Sequence, residues 1–285
     1  QSGKDPDQIN MVDYGAGNGL LGMFAKFCGF KKVYLCDMDS DFVHASIVLA
    51  NELNIEIDKF ICGDMDSLKL ELSQQTIHAI AGTDVIEHIY NLDVFFTAMQ
   101  EMNPAMVSIF TTASNPDNFI KTMQLKKLQR KDELLGSDPE DAILTGAEKQ
   151  EAYIVLREKI IKENFPQLPG DKLMELAKAT RGLSKPDIIK TVEVFIQTSK
   201  MPDPGIYGTN TCNPLTGSWT ERVLSINDYK SIYERHGFSL IVKNGFYNDH
   251  TAGIKKYMNK ILNRIVKMGS RNTAPFITLV GYKPG

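Results

Sequence analysis

The stretch Asp13-Tyr14-Gly15-Ala16-Gly17-Asn18-Gly19 decides how this chain is read. An apolar run with strand character (Ile9, Met11, Val12) leads into it, and a helical pattern (Leu20, Phe24, Phe27, Cys28) leads out. The physical reading is a strand, a turn that only glycine tolerates, and a helix whose free N–H groups can face an anion or a carboxylate. A nucleotide-like ligand is expected there.

Spacing separates the ligand classes that use such a turn. A dinucleotide fingerprint needs G-x-G-x-x-G, but counting from Gly15 the sixth position is Leu20, so the last glycine comes one residue early. A phosphate loop needs Gly-Lys-Ser/Thr after four intervening residues, and Gly22 is followed by Met23 and Phe24 instead. What remains is acidic-x-Gly-x-Gly-x-Gly, and at these residues the chain resembles the class I methyltransferases that use S-adenosylmethionine.

Downstream strand ends extend the resemblance. Lys31 to Asp37 reads as a second strand ending in a carboxylate, ~20 residues after the turn, where it can accept both ribose hydroxyls of a nucleoside; that spacing suits NAD as well. Ser40 reads as the N-cap of the next helix. A third strand at about residues 55 to 63 ends in Asp64-Met65. In the methyltransferase pattern an acid here receives the adenine amino group, while the next backbone N–H meets a ring nitrogen. The alternative reading of Asp64 is a helix N-cap. By resemblance the cofactor-binding set is Asp13, Tyr14, Gly15, Gly17, Gly19, Asp37, Met38, Asp64, Met65 and Asp84, with Asp13 orienting the turn.

A fourth strand, His78 to Thr83, runs into Asp84-Val85-Ile86-Glu87-His88-Ile89. This run resembles the small-molecule branch that contains the quinone-biosynthesis O-methyltransferases. His88 is the candidate base, because imidazole titrates near neutrality, and Glu87 is grouped with it as catalytic. Asp84, Glu87 and His88 also resemble a trio that binds a divalent ion in some members, where the ion polarises a hydroxyl; a metal is not assigned.

A helix over Leu92 to Met102 and a fifth strand, Met106 to Thr111, continue the alternating pattern of a parallel sheet. Residues 117 to about 200 show helical periodicity only (Ile120, Met123, Leu128; Ile143, Leu144, Ala147; Leu173, Leu176, Ala177; Ile188, Ile189, Val192, Phe195). Their 15 Lys/Arg balance 14 Asp/Glu, as a solvated helical face does. Three to five helices are expected, serving as a lid over the acceptor. Arg181, at a helix end, is a candidate substrate residue. Trp219 and Arg222 are two more, in the segment Gly217 to Ser225 that resembles the family's stretch before strand six; the alternative reading of Trp219 is a core residue. The chain carries Ser218 where many members have histidine.

The fold expected is α/β: a Rossmann-like, seven-stranded, mostly parallel sheet in the order 3-2-1-4-5-7-6, with an all-helical insertion after strand 5. The expected divisions are a cofactor-binding part at 1–116, the insertion at 117–204, and the completing strands six and seven at 205–285. Lys255, Lys256, Lys260, Arg264 and Lys267 stud the last helix, which is amphipathic; they read as a solvated face, with an anionic surface or membrane as the alternative.

Composition bounds the function. With 285 residues and 42% hydrophobic content, the chain can bury a full core. A net charge of −3 gives no global basic footprint for nucleic acid. The four cysteines, Cys28, Cys36, Cys62 and Cys212, form no C-x-x-C pair, which fits a reducing, cytoplasmic setting. Neither a membrane span nor a signal peptide is expected. Gln1-Ser2-Gly3 lacks an initiator Met, so an upstream segment is expected. The functional expectation is methyl transfer from S-adenosylmethionine to a small polar acceptor, a hydroxyl of a saccharide or another metabolite. No N-P-P-Y/F signature of amine methylation stands at Thr83-Asp84-Val85-Ile86. A non-catalytic S-adenosylmethionine-binding protein, a small-molecule N-methyltransferase and a NAD-dependent oxidoreductase are the alternatives.

Overall fold

Five consecutive buried residues form strand β1 (Asn10–Tyr14). A run buried throughout belongs in the middle of a sheet covered on both faces, not at its edge. β1 lies between β2 (Lys32–Asp37) and β4 (Ala79–Thr83), parallel to both, with Val12 opposite Tyr34 on one side and Ile80 on the other. β3 (Lys59–Cys62) extends the sheet beyond β2, and β5 (Val107–Thr112) beyond β4, again in parallel. β7 (Ile277–Tyr282) then runs antiparallel between β5 and β6 (Ser239–Asn244), giving the order β3-β2-β1-β4-β5-β7-β6. This is the expected fold class, α/β with a seven-stranded, mostly parallel sheet. The computed structural model describes residues 3–136, 151–203, 207–250, 252–269 and 271–284.

Helices α1 (Leu20–Phe27), α2 (Ser40–Glu52), α3 (Met65–Glu71) and α4 (Leu92–Met102) make the crossovers. The order reverses between β1 and β4, so the carboxyl ends of these neighbours form a topological switch point, where ligands of such sheets bind. α2 is capped one residue earlier than expected. Asp39, not Ser40, is its N-cap and accepts from the Asp41 N–H, because the carboxylate reaches the first-turn donors while Ser40 is already helical. Around the middle strands Phe95 sits 5.2 Å from Tyr14 and 5.7 Å from Phe110, and Phe96 sits 4.4 Å from Tyr233, between ring centroids. Such tilted contacts add aromatic packing to simple burial.

The chain divides into two compact units. One holds the sheet and comprises the described residues up to Ile86, Asn91–Asn118, and those from Leu224 onward. It includes α9 (Ile226–Arg235), opened by a capping box of Ser225 and Asp228, and α10 (Ile254–Lys267). The other comprises Glu87–Tyr90 and the described residues of Phe119–Val223. Residues 207–223 therefore cluster with the helices.

The second unit holds the helices that follow β5, together with Glu87–Tyr90 from before β5 and the residues up to Val223, where Cys212 and Trp219 form an isolated antiparallel bridge. Its described helices are α5 (Phe119–Leu134), α6 (Tyr153–Asn164), α7 (Gly170–Ala179) and α8 (Lys185–Thr198). The periodicity at Ile143, Leu144 and Ala147 lies outside the described residues. Ser184 stands at the N-cap of α8 with proline in the first turn. Ile160, Ile161, Leu176, Ala177, Ile188 and Val192 form a core of its own. Beside it Arg157, fully buried, pairs with Glu133, and its Nε donates to the Ala177 carbonyl at 2.7 Å. The Thr211 hydroxyl donates to Glu133 Oε2 at 2.7 Å. A buried pair of this kind ties α5 to α6, and removing one partner leaves an uncompensated charge. Arg157→Ala is expected to destabilise the chain by about 3–5 kcal/mol, read by chemical denaturation. Replacing both partners with leucine is expected to cost less than the single change.

Candidate functional site

Asp13 governs the turn. Its carboxylate, buried at the end of β1, accepts the Gly22 N–H of α1 at 2.8 Å. This bond crosses the glycine stretch and fixes the start of the helix relative to the strand. Between them, the Gly15 and Ala16 N–H groups both donate to the Cys36 carbonyl of β2, at 2.9 and 3.0 Å. Gly15 sits at φ +67°, and a Cβ there would come within 2.5 Å of Val85 Cγ2. Conformation and space both require glycine at this position. Gly19 (φ +79°) is the left-handed N-cap of α1.

Asp37 ends β2 and closes on the same turn. Its Oδ2 accepts the Gly17 N–H at 2.8 Å and its Oδ1 the Asp39 N–H at 2.9 Å. A carboxylate has about four lone-pair sites, so both oxygens keep acceptor capacity for a ligand hydroxyl. Met38, next to it, is 70% exposed. At the end of β3, Asp64 is the N-cap of α3: Oδ1 accepts from the Ser67 N–H at 3.0 Å and from its hydroxyl at 3.1 Å. The bond from the Ser67 N–H holds the Asp64 carboxyl below the usual carboxylate range. Met65 opens α3 with its side chain buried, and as the first helical residue its N–H has no acceptor in the helix ladder.

Asp84 ends β4 in the left-handed region, φ +51°. A non-glycine residue there is uncommon, and such conformations concentrate at functional sites. It is fixed from both sides, its N–H donating to the Thr111 carbonyl at 2.9 Å and its Oδ1 accepting the Ala113 N–H at 3.0 Å. The parallel register thus brings Asp13 with the glycine turn, Asp37, Asp64 and Asp84 to one edge of the sheet. Tyr14 differs, because its ring is buried against Phe95 and burial pushes its phenol well up. Among the described residues, no ion pair engages Asp13, Asp37, Asp64 or Asp84.

His88, Glu87, Arg181, Trp219 and Arg222 belong to the helical unit. There the Glu87–Tyr90 segment pairs with residues 219–222: the Trp219 N–H donates to the His88 carbonyl and the Arg222 N–H to the Glu87 carbonyl, each at 3.2 Å. His88 Nδ1 lies 2.7 Å from the Trp219 carbonyl oxygen. A carbonyl only accepts, so Nδ1 carries the hydrogen and, in the neutral ring, Nε2 carries the lone pair. Nε2 stands 3.9 Å from Glu221 Oε1, and the His88 side chain is 37% exposed. Glu221 is itself left-handed, at φ +44°. The Glu87 side chain is buried, 1% exposed.

Trp219 is buried too, at 2% exposure, with Nε1 donating to the Tyr90 carbonyl at 3.0 Å. Its ring stacks on Tyr90, meets Tyr207, and carries the Arg222 guanidinium 4.3 Å above its centroid. The Tyr90 hydroxyl donates to Asp187 and accepts the Ser184 N–H at 3.0 Å. Arg181 donates to the carbonyls of Thr209 and Asn210, and burial lowers its pKa. Tyr90, Tyr207, Asp187 and Glu221 were not singled out by the sequence, which holds no local pattern linking Tyr90 to Trp219. Among the described residues no group of three histidine, cysteine, aspartate or glutamate side chains stands in a metal-holding arrangement.

No family model matches the chain, and no curated protein does. Among solved structures it is similar to an S-adenosylmethionine-dependent methyltransferase from Mesorhizobium loti, with 12% identity over 98% of this chain and 93% of that one, at a TM-score of 0.48. It is similar to magnesium protoporphyrin IX methyltransferase (ChlM) from Synechocystis with bound SAH, with 12% identity over 97% of this chain and 74% of the other, at a TM-score of 0.40. It is also similar to TehB from Haemophilus influenzae, with 16% identity and a TM-score of 0.31, over 36% of this chain and only 35% of TehB.

The buried Asp13 yields a stability prediction. Burial pushes its carboxyl up to about 6 from 3.8, the Gly22 N–H bond opposes this, and the nearby Asp37 charge adds to it. The folded state therefore holds this proton more tightly than the unfolded chain. The resulting stability is fully present below 3.8 and is lost as pH rises through about 6. Asp13→Asn keeps an acceptor for Gly22 without this titration. Its stability relative to the parent is expected to rise between pH 4 and 7 by about 2–3 kcal/mol, read from urea midpoints across that range.

Proposed function

We propose that this chain is a methyltransferase that moves the methyl group of S-adenosylmethionine to a small polar acceptor, a hydroxyl of a saccharide or another metabolite. The observation that carries this reading is the acidic rim at the carboxyl edge of the sheet, where Asp37, Asp64 and Asp84 stand without a cationic partner among the described residues. Uncompensated carboxylates favour a ligand with positive charge and oppose a dinucleotide pyrophosphate. A sulfonium carrying an ammonium group has that charge. The shape agrees with the charge, because the Cβ-free Gly15 and Gly17 allow close backbone approach.

In this account the second lone pairs of Asp37 take the ribose hydroxyls, and Asp64 with the Met65 N–H takes the adenine edge. Met38 covers the nucleoside, and Asp84 completes the rim. Asp13 acts through the turn that it holds. When bound, S-adenosylmethionine supplies a methyl group on a positively charged sulfur, an electrophile that no side chain offers. The chain's task is then to align the acceptor oxygen with that methyl and to take the hydroxyl proton. His88 is assigned the proton, since Nδ1–H is committed to the Trp219 carbonyl and leaves the Nε2 lone pair. Glu221 stabilises the imidazolium that forms. Arg222, held over Trp219, and Arg181 are the cations assigned to the acceptor, and Trp219 and Glu87 support these groups from buried positions.

The test is incubation with methyl-labelled S-adenosylmethionine and a fractionated cell extract. Label is expected in a small polar fraction; label confined to protein or nucleic acid would overturn the acceptor assignment. With the labelled acceptor in hand, His88→Ala is expected to lower turnover by roughly 10²–10⁴-fold and to abolish the acidic limb of the pH–rate profile. Full turnover of this variant at every pH would remove His88 as the base.

A further inference from the structure

Helix α10 is mounted inside out. A surface helix normally buries its apolar stripe and shows its polar face to water, whereas α10 is held to the sheet unit through asparagines. Asn259 and Val266 are its buried residues. Asn263 accepts the Tyr247 N–H at 2.7 Å and returns a bond to the Tyr247 carbonyl at 2.8 Å. Asn259 donates to the Asn248 carbonyl.

The opposite face is apolar and open. Ile254, Met258, Ile261, Ile265 and Met268 follow at alternating intervals of four and three residues, which places them in one line along the helix. Ile254 is 80% exposed, Met258 57%, Ile261 58%, Ile265 39% and Met268 87%, and Tyr257 on the same side is 68% exposed. Phe246, 67% exposed, lines with Lys267 and Gly269 a cavity of about 500 Å³ at the C-terminal end of the helix. The exposed Lys255, Lys256, Lys260, Arg264 and Lys267 flank this stripe, the helix holds no acidic residue, and none of the five is ion-paired among the described residues. The sequence favours a solvated face for these cations and holds an anionic surface as the alternative; the exposure of the apolar line between them favours the alternative.

We propose that α10 docks the chain on an anionic phospholipid surface, the apolar stripe entering the boundary between headgroups and acyl chains and the five cations meeting lipid phosphates. An apolar face bordered by Lys and Arg, in a helix of low overall hydrophobicity, is the pattern of a helix that lies in the membrane interface. The charge selects this occupant over others. A second copy pairing through α10 would set Lys255 and Arg264 against cations of its partner. Nucleic acid would satisfy the lysines and leave six apolar side chains in water. Spanning the bilayer does not apply, because no described helix is long and apolar enough to cross a membrane.

The experiment is flotation of the full chain with vesicles of phosphatidylcholine alone and of an equimolar phosphatidylcholine–phosphatidylglycerol mixture, at low and high salt. The expected result is binding to the anionic vesicles, weaker by on the order of a hundredfold on neutral ones, and falling as salt rises. Ile261→Glu is expected to reduce partitioning by at least about tenfold, with an unchanged melting temperature, since Ile261 is exposed. Lys256→Glu with Lys260→Glu is expected to remove the preference for anionic lipid. Absence of vesicle binding, or equal binding by Ile261→Glu and the parent, would overturn the proposal. So would a lipid-independent dimer that Ile261→Glu dissolves, which would assign the face to a second copy.

Discussion

One buried hydrogen bond sets the geometry of the sheet unit: the Asp13 carboxylate holds the Gly22 N–H at 2.8 Å. It joins the end of β1 to the first turn of α1 and ties both ends of the glycine stretch to the sheet edge. The cost is a carboxylate in a dry environment. Its raised pKa records that cost, and Asp37 nearby adds to it. A group kept under such conditions is doing more than packing, because a hydrophobic residue in its place would leave the helix N-terminus without its anchor.

From that anchor the other parts follow in order. The turn fixed by Asp13 presents Gly17 to Asp37, whose carboxylate stays pointed along the sheet edge because both its oxygens hold backbone N–H groups. Parallel pairing then places the end of β3 next to the end of β2, and the end of β4 next to the end of β1. Three further carboxylates reach one edge by register alone. The resulting field is a property of the parallel sheet and its strand order, not of any single loop.

Much of this was legible in the sequence, for a physical reason. Strand ends, turns and caps are local, and each acid at the sheet edge lies at or just beyond the end of its own strand: Asp13 near the end of β1, Asp37 at the end of β2, Asp64 two residues past β3, Asp84 next after β4. Cap positions were less certain, as Asp39 shows, because neighbouring polar residues compete for the same donors. The helical unit was legible as helices and no further. The His88 tautomer depends on a carbonyl 131 residues away, and the Tyr90 hydroxyl on a carboxylate 97 residues away. Local pattern carries no information about such pairings. Trp219 illustrates the limit, since a lone tryptophan beside an arginine suits a binding surface and a packed core equally well, and the structure buries it. The orientation of α10 was hidden in the same way: periodicity finds two faces, but only tertiary contacts decide which one turns inward.

In the proposed function the acidic rim with its glycine turn accepts a cationic nucleoside. Isothermal titration of the chain at neutral pH with S-adenosylmethionine and, separately, with NAD tests it most directly. Saturable one-site binding of S-adenosylmethionine that Asp37→Ala weakens by roughly tenfold or more is expected, with no binding of NAD. Tight binding of NAD with no heat from S-adenosylmethionine would contradict it.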